Sequence, residues 1–237
     1  MREAIDLLLQ EGKAIVTPTK VGYIIAATDR AGLEKKFALK GRPRSKPGVV
    51  LCSSFEQVAE LAEVDEPIRR LYEACEEKEL LLGCILPWKP EAIERYVPAD
   101  GTRELIMDGR QTSCFVICFG KPSEAICKML WDSHRLVFAS SANPSGKGNR
   151  GKLEGVGERI LSGVDLVIED DAYVASQQPE ATLDTRYEQG VMVSMVDEMG
   201  RLTDLPTVIR KGLALEKLML EMSKIWNRFD YRHGAYY

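Results

Sequence analysis

The sequence predicts an α/β fold, built on one twisted sheet of mixed parallel and antiparallel strands with helices on its faces. Short apolar runs typical of buried strands alternate with stretches of helical spacing. This order is regular at first and less regular from the middle of the chain, which indicates a mixed sheet and not a purely doubly wound one. With 45% hydrophobic and 29% charged residues, the 237-residue chain has the balance of a globular protein with a substantial core.

The first half of the chain alternates between the two kinds of element. Strands are predicted at residues 13–17, 23–28 and 48–52, and an apolar run follows at residues 80–86. Helices are predicted from their apolar spacing at residues 3–11, 31–39, 55–62 and 65–78. Pro18 and Thr19 are predicted to break the first strand. Ser54 and Gln57 have the spacing of a capping box at the start of the third helix.

The second half is less regular. Strands are predicted at residues 113–119, 135–139 and 164–168, with a helix at residues 123–131. Three shorter strand candidates follow at residues 181–185, 191–196 and 206–210. This mixture of strand lengths and spacings is the main reason for predicting a mixed sheet.

The C-terminal segment is predicted to be an amphipathic helix over residues 212–226. One side of it is apolar: Leu215, Leu218, Met219, Met222, Ile225 and Trp226. Packing on the domain is the main interpretation, and a dimer contact or a lid over a site is the alternative. The last eight residues, D-Y-R-H-G-A-Y-Y, are predicted to be loose.

Charge and cysteine content exclude several classes of protein. A net charge of −4 argues against a general electrostatic hold on nucleic acid, although it leaves room for a local basic patch. No apolar run has the length of a membrane span, and the N-terminal stretch lacks the pattern of a signal peptide. The six cysteines contain no C-x-x-C pair and the two histidines lie far apart, so no zinc site is predicted. Buried free thiols and a cytoplasmic location are expected.

The segment K-G-R-P-R-S-K-P, residues 40–47, is unusually basic for an acidic chain. Its cations stand at alternate positions: Lys40, Arg42, Arg44 and Lys46. Residues two apart share a face in an extended chain, and the glycine and prolines keep the segment out of a helix. Such an array suits a polyanion such as a triphosphate, because several cations can grip it with fixed geometry. A solvated basic loop is the alternative.

Three other segments are candidates for chemistry. S-S-A-N-P-S-G, residues 140–146, follows a predicted strand at the place where open α/β sheets bind ligands. Taken alone, the segment favours a simple turn. T-P-T-K-V-G-Y, residues 17–23, offers small hydroxyls and a tyrosine to a small polar ligand. The acidic run at residues 169–171 is typical of a solvated loop, with a Mg²⁺ site as the alternative.

Taken in order, P-T-K-V-G-Y, K-G-R-P-R-S-K-P, S-S-A-N-P-S-G and the late V-I-R-K-G (residues 208–212) resemble the YrdC-like family, the threonylcarbamoyl-adenylate synthases. The resemblance covers residues 1–212, which are expected to form a YrdC-like nucleotide-binding domain. Residues 213–237 are expected to form the C-terminal helix and tail. The resemblance implies a twisted mixed sheet around a concave, positively charged cavity.

The resemblance also implies an activity and two sets of site residues. Family members join L-threonine, bicarbonate and ATP into threonylcarbamoyl-AMP, release pyrophosphate, and serve the tRNA modification t⁶A. The implied ATP-binding set is Lys40, Arg42, Ser141, Asn143, Thr182 and Arg210. The implied amino-acid set is Thr19 and Tyr23. Lys40 and Arg42 would position the phosphates, no protein nucleophile is needed, and Mg²⁺ would arrive with ATP.

The chain departs from the family pattern on the substrate side. Val21 stands where the first family motif has its second threonine, Ile24 replaces a glycine, and Cys118 replaces an arginine. The phosphate-side residues are all present. The resemblance therefore predicts a nucleotidyltransferase that uses L-threonine or another amine. A non-catalytic protein that binds nucleotide or RNA, alone or with tRNA-modification proteins, is the alternative.

Overall fold

The computed structural model describes residues 1–41, 47–144 and 146–233. In this part of the chain the strands form one sheet, with the order β10-β9-β8-β4-β5-β3-β6-β2-β1-β7. The strands are β1 (Ala14–Thr19), β2 (Gly22–Ala27), β3 (Val49–Leu51), β4 (Leu82–Pro87), β5 (Thr112–Ile117), β6 (Val137–Ser141), β7 (Leu166–Val167), β8 (Val191–Val196), β9 (Leu202–Arg210) and β10 (Asp230–Tyr231). The sheet contains both parallel pairs, such as β3 with β5, and antiparallel pairs, such as β2 with β6. The predicted mixed sheet with flanking helices is confirmed.

The described helices are α1 (Arg2–Leu8), α2 (Arg30–Lys40), α3 (Phe55–Leu61), α4 (Glu66–Glu77), α5 (Pro90–Tyr96), α6 (Arg103–Ile106), α7 (Lys121–Trp131), α8 (Glu158–Leu161), α9 (Asp171–Ser176) and α10 (Leu215–Ser223). Helix α2 shows how local sequence sets the boundaries. The Asp29 carboxylate accepts the Gly32 N–H at 2.8 Å and caps the N-terminus. Gly41 ends the helix with a φ of 60°, a conformation that glycine adopts without strain.

The two faces of the sheet are covered differently. Along β5, Phe115 and Ile117 point to one face, whereas Cys114 and Val116 point to the other. The first face is packed against apolar residues of α2, α3, α4, α5 and α10 and forms the larger core cluster. The second face is covered by α1 and α7 over only part of its area. The rest of the second face is open and forms the floor of a cavity.

The structure corrects two strand predictions. Residues 181–185 are not a strand, because the Thr182 backbone N–H and hydroxyl bond to Thr185 within an exposed turn. Pro18 and Thr19 do not break the first strand, which continues to Thr19. Strand β7 pairs only with Ile15 and Val16, so Pro18 lies on an edge where a missing N–H removes no ladder bond. The capping box is also incomplete, because the Gln57 side chain accepts the N–H of Ser53 and not of Ser54.

The C-terminal segment also differs from its prediction. The helix begins at Leu215 and not at residue 212, because Ala214 has a left-handed φ of 61°. Its apolar side joins the larger core cluster through Leu218, Met222 and Trp226, as the packing interpretation expected. Asp230 and Tyr231 are not loose, since they pair with the free edge of β9. The division into domains at residue 212 stays a prediction.

Two further features bear on the class of protein. All six cysteines are free thiols; five are buried and Cys118 is half-buried. Among the described helices, none is long and apolar enough to cross a membrane.

Candidate functional site

A cavity of about 620 Å³ lies over the open part of the second sheet face. Its floor is mainly apolar and includes Val49, Leu51, Gly83, Ile85, Cys114, Val116 and Ala139. Charged side chains also line it: Arg110, Lys147 and Arg210 with Asp108 and Glu188. The predicted positive character of the cavity stays a prediction, because Arg42, Arg44 and Lys46 lie outside the described residues.

Lys40 and Ser141 are brought together, although they are 101 residues apart in the chain. Lys40 is the last residue of α2 and is only 5% exposed. Its Nζ donates to the Ser141 Oγ at 3.1 Å and also to the Ser141 backbone carbonyl. Ser141 ends β6 and lines the cavity. The Lys40 ammonium therefore lies directly behind a hydroxyl that faces the cavity.

Asn143 lies two residues beyond Ser141 and also lines the cavity. Its side-chain amide donates to the carbonyls of Pro144, at 2.8 Å, and Lys147. These bonds fold the loop after β6 so that Lys147 lines the cavity as well. We call Ser141, Asn143 and Lys147 the β6 end of the cavity.

Asn149 holds this loop in place, and sequence reasoning missed it. It is buried, and its Nδ2 donates to the carbonyls of Tyr23 at 3.1 Å and Ala142 at 3.2 Å. Its Oδ1 accepts the N–H of Gly151 at 3.1 Å. A Cβ at Gly22 would collide with the same oxygen, so a glycine is required at that turn. The only sequence signal was the polar, glycine-rich run after residue 145, which is also typical of an ordinary turn.

The predicted amino-acid residues, Thr19 and Tyr23, border the cavity, but their hydroxyls point into the protein. The Thr19 hydroxyl donates to the Gly22 carbonyl at 2.7 Å and accepts the Val21 N–H, which closes the β1–β2 turn. The Tyr23 hydroxyl donates to Asp171 at 2.6 Å and accepts the Asp170 N–H at 3.0 Å. Burial and the bond to Asp171 raise the pKa of Tyr23 well above its usual value.

Apolar side chains line the cavity next to this turn. They are Val21, Ile24 and Phe119, which we call the turn end. The Phe119 carbonyl accepts the Lys20 N–H at 2.8 Å and so fixes the turn against the end of β5. The turn end lies close to the β6 end, because Ile24 of β2 pairs directly with Ser141 of β6.

The remaining predicted residues are separated from this group. Arg210 lines the cavity, but β8, β4, β5 and β3 lie between its strand and β6. Its Nε donates to the Gly190 carbonyl at 2.9 Å. Thr182 lies in its exposed turn and does not contribute to the cavity wall formed by the described residues.

Asp108 and Arg110 form a rigid pair on the cavity wall that sequence reasoning did not identify. The Nε and Nη2 atoms of Arg110 donate to Asp108 Oδ2 at 2.9 and 2.7 Å, and Nη1 donates to the Asp197 carbonyl. Burial raises the pKa of Asp108, but the bonds from Arg110 and from the Thr112 N–H outweigh it and hold the pKa below its usual value. The pair lies in an irregular stretch, where neither periodicity nor a motif marked it.

Other candidate groups have structural roles. The Asp170 carboxylate caps α9 through the Tyr173 N–H, and Asp171 accepts from Tyr23 and from the Leu153 N–H. Over residues 1–41, 47–144 and 146–233, no three His, Cys, Asp or Glu side chains cluster as a metal site. Burial raises the pKa of Cys114, on the cavity floor, to about 12, although Arg210 opposes this. The Cys114 thiol is therefore protonated at neutral pH.

Comparison with known proteins places the chain in a family. The family model Sua5/YciO/YrdC, described as "Telomere recombination", matches residues 7–193. The chain is 28% identical over 223 residues to the threonylcarbamoyl-AMP synthase of Pyrococcus abyssi (strain GE5/Orsay). The match covers 89% of this chain and 54% of that protein, so the chain spans about half the length of the curated relative.

Solved structures share the fold of this chain. A hypothetical protein from Streptococcus mutans UA159 is 51% identical, with a TM-score of 0.95 over 100% of this chain and 95% of that one. The structure of P. abyssi Sua5 complexed with L-threonine is 23% identical, with a TM-score of 0.62 over 96% of this chain and 58% of that one, and shows the shared fold. Because the family model matches most of the chain, this protein belongs to the Sua5/YciO/YrdC family.

Proposed function

We propose that this protein is an ATP-dependent carbamoyl-adenylate synthase. In this proposal it joins an amino acid, bicarbonate and ATP into an N-carbamoyl adenylate and releases pyrophosphate. The observation that carries the proposal is the contact between Lys40 and Ser141, with Asn143 beside it, at one end of a large cavity. The distant homology to a threonylcarbamoyl-AMP synthase supports a transferase-like enzyme.

The reaction needs two bond-forming steps. Bicarbonate first gives CO₂ and hydroxide. The amine lone pair attacks the carbon of CO₂, and the proton that leaves the nitrogen combines with the hydroxide to form one water. A carbamate oxygen then attacks the α-phosphorus of ATP, and the bond from that phosphorus to the bridging oxygen breaks. Pyrophosphate leaves with the electron pair of that bond. No protein nucleophile takes part, so catalysis consists of positioning and charge stabilisation.

The β6 end supplies groups suited to this task. The Lys40 ammonium places a positive charge behind Ser141, and the Ser141 hydroxyl can donate to a phosphate oxygen. Lys147 adds a second cation on the cavity wall. The family resemblance assigns Arg42 to the phosphates as well, and we include it in the proposal. Charge-assisted hydrogen bonds contribute about 1.5–3 kcal/mol each, so these groups can provide a large share of ATP affinity.

Mg²⁺ enters this proposal as part of the substrate. Magnesium bound to ATP is held mainly by phosphate oxygens and water. Of the two carboxylates on the cavity wall, Asp108 is bound to Arg110, and Glu188 accepts the Arg150 N–H at 2.7 Å. The protein therefore contributes the cations and hydrogen-bond donors, while Mg²⁺ arrives with the triphosphate.

The direct test is a pyrophosphate assay with the full chain, Mg·ATP, bicarbonate and a panel of L-amino acids that includes threonine. We expect pyrophosphate release that requires both bicarbonate and an amino acid, with the carbamoyl adenylate detected by mass spectrometry. With threonine as the amine, the product is threonylcarbamoyl-AMP, the precursor of t⁶A that the resemblance implies. ATP binding without pyrophosphate release for any amino acid would contradict the proposal and would favour a nucleotide-binding protein without catalysis.

A further inference from the structure

We infer that the amino acid used at this site has an apolar side chain and not the hydroxylated side chain of threonine. This inference rests on the proposed function and concerns its substrate class. It comes from the turn end of the cavity, where the wall consists of Val21, Ile24 and Phe119.

The turn end is correctly placed for the amine. Ile24 and Ser141 are directly opposed on neighbouring antiparallel strands, so their side chains share one face about 5 Å apart. An amino acid whose side chain packs on Val21 and Ile24 can therefore direct its carbamate toward a phosphate held at Ser141.

Among the described residues, three polar side chains at the β1–β2 turn have their polar atoms bonded within the protein. The Thr19 hydroxyl is bound to the Gly22 carbonyl, and the Tyr23 hydroxyl is bound to Asp171. The Asn149 amide donates to two backbone carbonyls and accepts from Gly151. A ligand hydroxyl placed against Val21 would lose its bonds to water without gaining one from these three side chains.

The adjoining floor has the same character. Val116 and Cys114 of β5 point to the cavity, and Cys114 carries a protonated thiol, which is a weak hydrogen-bond partner. Gly83 of β4 adds no polar group. An apolar side chain therefore finds continuous apolar contact from the turn end onto this part of the floor.

The isosteric pair of L-valine and L-threonine tests this directly, because the two differ only by a methyl group in place of a hydroxyl. A hydrophobic site discriminates between such isosteres by up to about a hundredfold. We expect L-valine to bind more tightly, by calorimetry with a non-hydrolysable ATP analogue and bicarbonate present, and to have a kcat/KM for pyrophosphate release about tenfold to a hundredfold higher. Equal values, or higher values for threonine, would overturn the inference.

The substitution Val21→Thr supplies the reciprocal test, because it places a hydroxyl in the apolar wall without a change of shape. We expect it to shift the valine-to-threonine ratio of kcat/KM about tenfold toward threonine. Val64→Thr is the matched control, since Val64 packs against the larger core cluster away from the cavity. Thermal unfolding of both variants checks that they fold. If Val21→Thr does not fold, the valine-to-threonine ratio of kcat/KM in the unsubstituted protein still tests the inference.

The outcomes separate the inference from the proposed function. Pyrophosphate release with threonine at least as efficient as with valine keeps the proposed function and overturns the inference. If none of the amino acids tested supports pyrophosphate release, the proposed function is overturned, and the inference that rests on it is overturned as well. A ratio that Val64→Thr shifts as much as Val21→Thr would also overturn the inference, because the effect would then not come from the turn end.

Discussion

The β6 end and the turn end of the cavity are neighbours, and hydroxyl side chains lie at or beside both, but the two ends differ in their chemistry. At the β6 end, the Ser141 hydroxyl lines the cavity and the Lys40 ammonium supports it from behind. Beside the turn end, the hydroxyls of Thr19 and Tyr23 donate hydrogen bonds to groups inside the protein. A hydroxyl in a sequence motif can therefore bind a ligand only if the fold does not use all of its hydrogen-bonding capacity within the protein.

The largest expected effect comes from Lys40→Met at the β6 end. Loss of the ammonium removes charge-assisted bonds of about 1.5–3 kcal/mol each, so ATP affinity should fall by about tenfold to a hundredfold. Calorimetric titration with Mg·ATP measures this. Lys217→Met, on the exposed side of α10, is the control that removes the same charge far from the cavity. An ATP affinity that falls equally in both variants, or in neither, would contradict the role given to Lys40.

Asn149→Ala should have the next largest effect, because it releases the loop after β6 from the β1–β2 turn. The side chain makes three hydrogen bonds, each contributing about 1 kcal/mol. Its loss removes the bond to the Ala142 carbonyl and one of the two bonds to the Tyr23 carbonyl, which keeps the Ala142 N–H. The free energy of unfolding should fall by about 2–4 kcal/mol in urea titration. ATP affinity should fall as well, since the loop positions Asn143. Unchanged stability would show that the loop does not depend on Asn149.

Tyr23→Phe sharpens the comparison with a smaller effect. Removal of the hydroxyl takes one hydrogen bond from the Asp171 carboxylate and one from the Asp170 N–H, and should cost about 1–3 kcal/mol of stability. Since this hydroxyl points away from the cavity, kcat/KM for pyrophosphate release should stay within about twofold of the unsubstituted value, well below the cost of a lost substrate hydrogen bond. A large loss of kcat/KM with unchanged stability would mean that the hydroxyl contacts the substrate, as the family resemblance implies.

The smallest expected effect is the pH dependence that Asp108 contributes. Because its pKa in the folded state lies below the unfolded value, ionised Asp108 stabilises the protein above about pH 4, and this stability is lost as the pH falls through the folded pKa. The carboxylate is partly exposed, so the contribution should be below about 1 kcal/mol. Urea unfolding of Asp108→Asn against the unsubstituted protein should show a stability difference that is constant near neutral pH and shrinks below about pH 4. A difference that grows in acid would contradict the sign.

Much of the fold could be predicted because the spacing of apolar residues indicates where its buried strands and helices lie. The strands around Val50, Phe115 and Val193 are apolar runs in the sequence and strands in the structure. The prediction of a strand at residues 181–185 was wrong because the Thr182 and Thr185 hydroxyls satisfy the backbone locally. Such side-chain bonds compete with a sheet and leave no trace in hydrophobic periodicity.

The candidate site was less accessible from the sequence. The meeting of Lys40 with Ser141 followed from the order of motifs, because the family resemblance linked the two segments. The direction of the Tyr23 hydroxyl did not follow, since its partner, Asp171, is 148 residues away. The same holds for Asn149, whose buried partner Tyr23 is 126 residues away. Hydrogen-bond satisfaction depends on tertiary neighbours, and a single sequence does not reveal them.

The central claim is that the β6 end of the cavity holds the phosphates of ATP. A crystal structure with Mg²⁺ and a non-hydrolysable ATP analogue tests it most directly. We expect a phosphate oxygen within about 3.2 Å of the Ser141 hydroxyl, with the Lys40 ammonium as the nearest cation among the described residues and the turn end left open for the amino acid. Phosphates bound at the turn end, or beside Arg110 and away from Ser141, would contradict it.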